Sequence, residues 1–225
     1  MERGDFNVNS HLEKEKLSVL SKYTQLESEY NKESLTLKGT VLFIYDYKGY
    51  ALECLYKLRI VVPNNFPAEW PLVYEVGGKV RKSFHVNATG SLCLGSSLRI
   101  QSILRPNPSL LNFIEKIVFP FLFSNEYFSI YRVTPFGELE HGGAGLYQDY
   151  QEILAITDIN QIISFIEKLP NLYRGHSLCP CGSNKKLRNC HSSAVRDLLD
   201  VPSKALKSEL CNLKDFSRSI TGLAR

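Results

Sequence analysis

The segment "CPCGSNKKLRNCH", residues 179–191, constrains the fold more than any other stretch of this 225-residue chain. It puts Cys179, Cys181, Cys190 and His191 on a polar loop too short to hold a core of its own. Four soft or borderline ligands at this spacing suit a tetrahedral zinc, with thiolates at ~2.3 Å and an imidazole nitrogen at ~2.0–2.1 Å. Gly182-Ser183-Asn184 makes the turn that brings the second pair back, and Asn tolerates a left-handed backbone best after glycine. With all four positions filled by protein, no site stays open for water, so the metal reads as structural and its binding supplies the loop's folding energy. The alternative is a set of unrelated thiols. Lys185, Lys186 and Arg188, with Arg174 nearby, make the loop basic. That suits docking on an acidic protein or RNA surface, or a merely solvated loop.

The other cysteines, Cys54, Cys93 and Cys211, are scattered. In a reducing compartment clustered cysteines bind metal and isolated ones are ordinary thiols, so a cytoplasmic protein is expected. The N-terminal "MERGDFNVNSHLEKEK" has no apolar stretch and reads as no signal peptide. The longest apolar run, "IVFPFLF", is far short of the ~20 residues that span a bilayer. A net charge of +4, with acids and bases interspersed, argues against a nucleic-acid partner.

Residues 11–31 space Leu12, Leu17, Leu20, Tyr23, Leu26 and Tyr30 as an amphipathic helix. "SLTLKGTVLFIYDY" and "ALECLYKLRIVV" read as adjacent antiparallel strands around a turn at Lys48-Gly49. In the second, Leu52, Cys54, Tyr56, Leu58 and Ile60 share the core face, opposite Glu53, Lys57 and Arg59. After the loop "PNNFPAEW", "PLVYEV" makes a further strand. "GSSLRIQSILRPNPS" reads as a loop. A helix follows with Asn107 as N-cap and Pro108 at its first position, and Pro120 is expected to kink or end it. Helices are expected around 146–156 and from the N-cap Asp158 to Leu169, with basic helices over 194–225. Strands first and helices after make an α+β chain, divided into residues 1–170 and 171–225.

In "FHVNATGSLCLGS", residues 84–96, period-2 alternation points Leu92 and Leu94 one way and Ser91, Cys93 and Gly95 the other. The leucines need the core, so the Cys93 thiol should face the polar side, with room beside it from Gly95 and Ser96. Even at an ordinary thiol pKa, such a sulfur can exchange with an activated thioester. A small core residue is the bland alternative.

The succession "YKLRIVVPNNFPAEWPLVYEV…FHVNATGSLCL" resembles the ubiquitin-conjugating enzymes, over about residues 11–125. Phe66-Pro67 and Trp70-Pro71 match that family's proline turn, His85-Val86-Asn87 its His-Pro-Asn motif, and Gly90 to Leu94 its active-site element. The resemblance implies an N-terminal helix, a four-stranded antiparallel meander and C-terminal helices. It also implies that Cys93 accepts a protein C-terminus as a thioester and passes it to an amine. Asn87 would supply the oxyanion donor or order the nearby loop, and His85 would brace the turn. His141, in "GELEHGGAG" beside Glu138 and Glu140, would steer or deprotonate the amine, or is a surface histidine. Val86 in place of the proline and the short gap to Cys93 look more like the bacterial members in anti-phage (CBASS) operons. The acyl partner there would be a cGAS-like nucleotidyltransferase. No nucleotide-binding motif appears, so activation would need a separate enzyme. The same fold also occurs as an inactive adaptor that binds partner proteins. Residues 179–191 resemble the SEC-C motif, with Asn184 in place of its glycine.

Overall fold

The computed structural model describes residues 5–81, 85–136, 142–172 and 176–222. By chain contact it divides into two compact units, Met1–Leu94 with Pro106–Glu138 and Gly95–Arg105 with Leu139–Arg225. Residues 139–170 thus group with the Cys/His segment, where the sequence placed its division at 170/171.

In the first unit, α1 (Asp5–Lys22) precedes a four-stranded antiparallel sheet of β1 (Leu26–Tyr30), β2 (Ser34–Tyr47), β3 (Tyr50–Pro63) and β4 (Leu72–Glu75). The strands lie in chain order β1-β2-β3-β4, a meander. The helix expected over 11–31 therefore stops early. Leu26 and Tyr30 share a face at either helical or strand spacing, so the pattern was ambiguous, and pairing of Leu26–Tyr30 with Leu35–Gly39 decided it. Gly39 permits the pairing: a Cβ there would lie 2.1 Å from the Gln25 carbonyl oxygen.

β2 and β3 pair along their whole length, from Ser34↔Pro63 to Tyr47↔Tyr50. Lys48 (φ 53°) and Gly49 (φ 84°) form the left-handed two-residue turn that matches strand twist. Cys54, Tyr56, Leu58 and Ile60 are buried and Glu53 and Lys57 face solvent, as the alternation predicts; Leu52 and Arg59 are both half-buried, and Val62 extends the buried face. The buried Tyr56 hydroxyl lies 3.1 Å from the Leu122 carbonyl and 2.8 Å from Glu126, and accepts the Asn125 amide at 2.9 Å. Trp70 of the proline loop stacks on Phe113 at 6.3 Å.

The helix expected from Asn107 begins later. Ser109 is the N-cap, accepting the Asn112 N–H at 3.3 Å, and α3 runs Leu110–Phe113. Glu15 of α1 accepts the Leu110 N–H at 2.7 Å, which places a carboxylate at that helix N-terminus. The helix widens into a π turn, Ile114–Val118, and resumes as α4, Phe119–Tyr131. Pro120 neither ends nor breaks it. Phe119 donates to Ile114 in the wide turn, so the proline falls in the first turn after a bulge, where its missing N–H costs little.

In the second unit, the segment read as a loop after Cys93 contains α2 (Ser97–Leu104), capped by Ser96 and burying Leu98, Ile100 and Leu104. Of these only Ile100 and Leu104 stand at helical i, i+4 spacing, so the periodic signal was weak and the Ser96 cap was the overlooked one. α5 (Gly142–Leu154) and α6 (Ile159–Lys168) follow, the latter capped by Asp158 and burying Ile159, Ile162, Ile163 and Ile166 as expected. α7 (Ser192–Asp200) and α8 (Ser203–Gly222) complete the chain. Tyr150, Leu154, Phe165, Leu198 and Leu213 form one core with Cys179. Among the described residues no helix is long and apolar enough to cross a membrane.

Candidate metal centre and the Cys93 element

The Cys/His segment folds back on itself through short backbone links. The Cys179 N–H donates to the Lys185 carbonyl at 2.8 Å, and the Leu187 N–H to the Ser177 carbonyl at 2.8 Å. Gly182 (φ 77°) and Asn184 (φ 57°) take the left-handed conformations of the expected turn. The result brings one ligand atom each from Cys179, Cys181, Cys190 and His191 within 4.8 Å of one another. Cys181 and Cys190 sulfurs are 3.6 Å apart, and His191 Nδ1 lies 3.1 Å from the sulfurs of both Cys179 and Cys190. A tetrahedron with ~2.3 Å bonds has edges of ~3.7 Å, so the group is close to the size a zinc ion requires.

Helices outside the segment brace this cluster. His191 Nε2 lies 2.7 Å from the Leu154 carbonyl, the last residue of α5, and the ring meets Phe165 edge-on at 5.5 Å. A backbone carbonyl on the far nitrogen fixes the tautomer that leaves Nδ1 for a metal. Gln161 of α6 donates to the Cys181 carbonyl at 2.8 Å. Ser183 Oγ lies 3.4 Å from the Cys190 sulfur. Burial pushes the Cys179 thiol up to about 12. Burial also opposes ionisation of Cys181, but hydrogen bonds from Ser183, Cys179 and Cys190 together outweigh it and bring that thiol down to about 6. A thiolate is therefore already favoured at one ligand. The donors fit a metal ion such as zinc. Lys185, Lys186 and Arg188 are exposed, Arg188 lying 3.0 Å from His176 Nδ1, while Arg174 lies outside the described residues.

Cys93 is held differently. Val86 and Leu92 form an isolated antiparallel bridge that closes a turn over residues 87–91. The Leu92 N–H donates to the Val73 carbonyl of β4 at 2.8 Å, and the Cys93 N–H to the His85 carbonyl at 2.7 Å. His85 sits at φ 43°, so its backbone rather than a simple strand aims the turn. The Asn87 amide donates to Ser91 Oγ at 3.1 Å and to the Leu92 carbonyl at 3.4 Å. Cys93 and Leu94 are half-buried and Leu92 is buried. Ser91 is also buried, although alternation put it with Cys93 on the polar side. The segment is a turn closed by a single bridge, and period-2 reasoning does not extend across it. Thus His85, Asn87 and Cys93 come together in one turn. His141, with Glu138 and Glu140, lies outside the described residues.

Sequence reasoning missed Gln161, the Leu154 carbonyl and two carboxylates, Asp149 and Glu209, that grip the N-terminus of α2. None of these carries a motif, because each acts through a tertiary neighbour. Comparison with protein families matches residues 177–193 to the SEC-C motif. No curated protein matches the chain.

Proposed function

We propose that the chain is a cysteine acyltransferase of the ubiquitin-conjugating type, with a structural zinc held by Cys179, Cys181, Cys190 and His191. The observation that carries the first part is Cys93 itself. It is a half-buried cysteine at the rim of a four-stranded meander, with its own N–H and that of Leu92 tied to His85 and Val73. Such anchoring fixes where the sulfur emerges before any substrate arrives.

In the reaction, the Cys93 thiolate attacks the activated C-terminal carbonyl of a donor protein, presented as an acyl adenylate or a thioester. AMP or the donor thiol leaves, and a new thioester forms on Cys93. An amine, such as a lysine side chain of the acceptor, then attacks that carbonyl, the thiolate departs and the amine proton passes to a base. Asn87 orders the turn, and His85 braces it through its carbonyl. His141 is assigned to the incoming amine. A separate activating enzyme supplies the activated donor, and within an anti-phage system that acyl donor is a cGAS-like nucleotidyltransferase.

Zinc is assigned to the four-ligand cluster because thiolate and imidazole donors at tetrahedral separations leave no protein position open. It supplies cross-linking and no bond-breaking. The second reading, an adaptor that only binds partner proteins, draws on the Asn87 amide being spent inside its own turn.

Co-expression with candidate donor and activating proteins, followed by gels with and without thiol, decides between them. A thiol-labile adduct on wild type and Cys54→Ser that disappears in Cys93→Ser is the expected result. Absence of any adduct across activated donors favours the adaptor.

A further inference from the structure

Leu94 is followed by Gly95 and then by Ser96 and Ser97 of the second unit, whose backbone N–H groups are held there by two acids, Asp149 buried and Glu209 half-buried. The Ser96 N–H donates to Asp149 Oδ2 at 2.9 Å, and the Ser97 N–H to Glu209 Oε1 at 2.7 Å. Asp149 is 2% exposed. Its other oxygen holds Arg99 Nε at 2.5 Å, and Arg99 also pairs with Glu152. Tyr150 donates its hydroxyl to Glu209 at 2.8 Å. Asp149, Tyr150 and Glu152 all lie on α5, so this one helix organises the start of α2.

The same helix ends at the metal cluster. Leu154 is its last residue, and the carbonyl there receives the His191 ring at 2.7 Å, with Ala155 turning away at φ 49°. From Asp149 to Leu154 is five residues, a rise of about 7.5 Å along a helix. The helix is therefore tied at its C-terminus by a candidate metal ligand and, about one and a half turns earlier, ties down the backbone at Ser96, three residues beyond Cys93. Hydrogen bonds within α5 make these two ties parts of one rigid element.

We propose that metal binding at the Cys/His cluster, acting through His191 and α5, holds residues 95–105 in place and so supports the segment that leaves Cys93. As regulation of Cys93 this rests on the acyl-transfer reading; as a property of residues 95–105 it does not. Without metal, the His191 ring is released to turn about its own side-chain bonds and the Leu154 carbonyl loses its partner. The last turn of α5 frays, and the Asp149 and Glu209 grips loosen with it. Asp149 and Glu209 are positioning residues in this scheme.

Amide hydrogen exchange on the full chain tests it, first with one zinc bound and then after chelation and after zinc is restored. Exchange in residues 95–105 is expected to rise at least about threefold on chelation, together with residues 177–193, and to recover with zinc. A rise confined to 177–193 overturns the proposal. An equal rise throughout β2 and β3 also overturns it, because that reports loss of the whole fold. His191→Cys keeps four thiolate-forming or thiolate ligands and removes the bond to Leu154. With zinc counted at one per chain, this variant is expected to exchange faster over 95–105, and unchanged protection there overturns the route. If the variant loses zinc, the chelation series decides. Cys93→Ser run in parallel keeps the two proposals apart. A missing adduct defeats acyl transfer while leaving the exchange result standing.

Discussion

Cys93 and Cys190 are both half-buried, yet the chain surrounds their sulfurs by opposite means. Around Cys190 the side chains converge, with a sulfur at 3.6 Å and an imidazole nitrogen at 3.1 Å. Around Cys93 the backbone converges, and the neighbouring polar side chains of Asn87, Thr89 and Ser91 bond one another. A metal centre needs several donors aimed at one point, and a loop of consecutive residues can supply them. The backbone at Cys93 is instead fixed by β4 and residues 85–92, from different places in the chain.

The sharpest break in this comparison comes from a ligand. Cys181→Ser is expected to lower bound zinc from about one per chain to none, removing most of the ~10–16 kcal/mol a structural zinc supplies. Metal analysis and thermal melts check it. Melting of the second unit should collapse while the meander keeps its transition. If the variant still binds zinc tightly, the four-ligand assignment fails.

Packing comes next. Phe165 is fully buried and touches the His191 ring, so Phe165→Ala should cost ~3–5 kcal/mol in urea unfolding and weaken zinc binding. Leu35→Ala, in the sheet core, should cost ~2–5 kcal/mol without changing zinc affinity. Equal effects on zinc from both would erase the distinction between the units.

Thiol chemistry sharpens the contrast further. Burial pushes the Cys54 thiol up to about 12, and its side chain has no exposure. Maleimide labelling at neutral pH, read by mass spectrometry, should therefore modify Cys93 at least about a hundredfold faster than Cys54. Comparable rates would remove the basis for singling out Cys93. Asn87→Ala should cost ~1 kcal/mol by breaking the turn's side-chain bonds, and should speed Cys93 labelling as the turn loosens.

The smallest effect is electrostatic. Burial raises the Glu209 carboxyl above its ordinary value, against the lowering effect of its bonds to Ser97 and Tyr150. The folded state thus favours the protonated acid. Its contribution is fully present below the ordinary glutamate pKa and is lost as pH rises through the raised one. At saturating zinc, the stability difference between Glu209→Gln and wild type should shift in favour of the glutamine as pH rises through that window. A difference independent of pH would show that Glu209 is ordinary.

Much of this was legible in the chain as written, wherever the signal was local. The four ligands lie within thirteen residues, the Asp158 cap sits directly before its helix, and the β3 alternation runs unbroken from Cys54 to Val62. Where partners are distant the pattern misled. Leu26 and Tyr30 fitted a helix as well as the strand they form, Ser91 was assigned to the wrong side, and the helix after Cys93 was read as a loop.

By itself, then, the sequence determined the donor set for a metal and the inward face of the long hairpin, because adjacent residues carry both. Only the tertiary structure decided that residues 95–105 are gripped by Asp149 and Glu209, and that the metal ligand His191 is seated on the end of α5. The physical reason is that these groups are dozens of residues apart, and a hydrogen bond between them exists only once the intervening helices have packed.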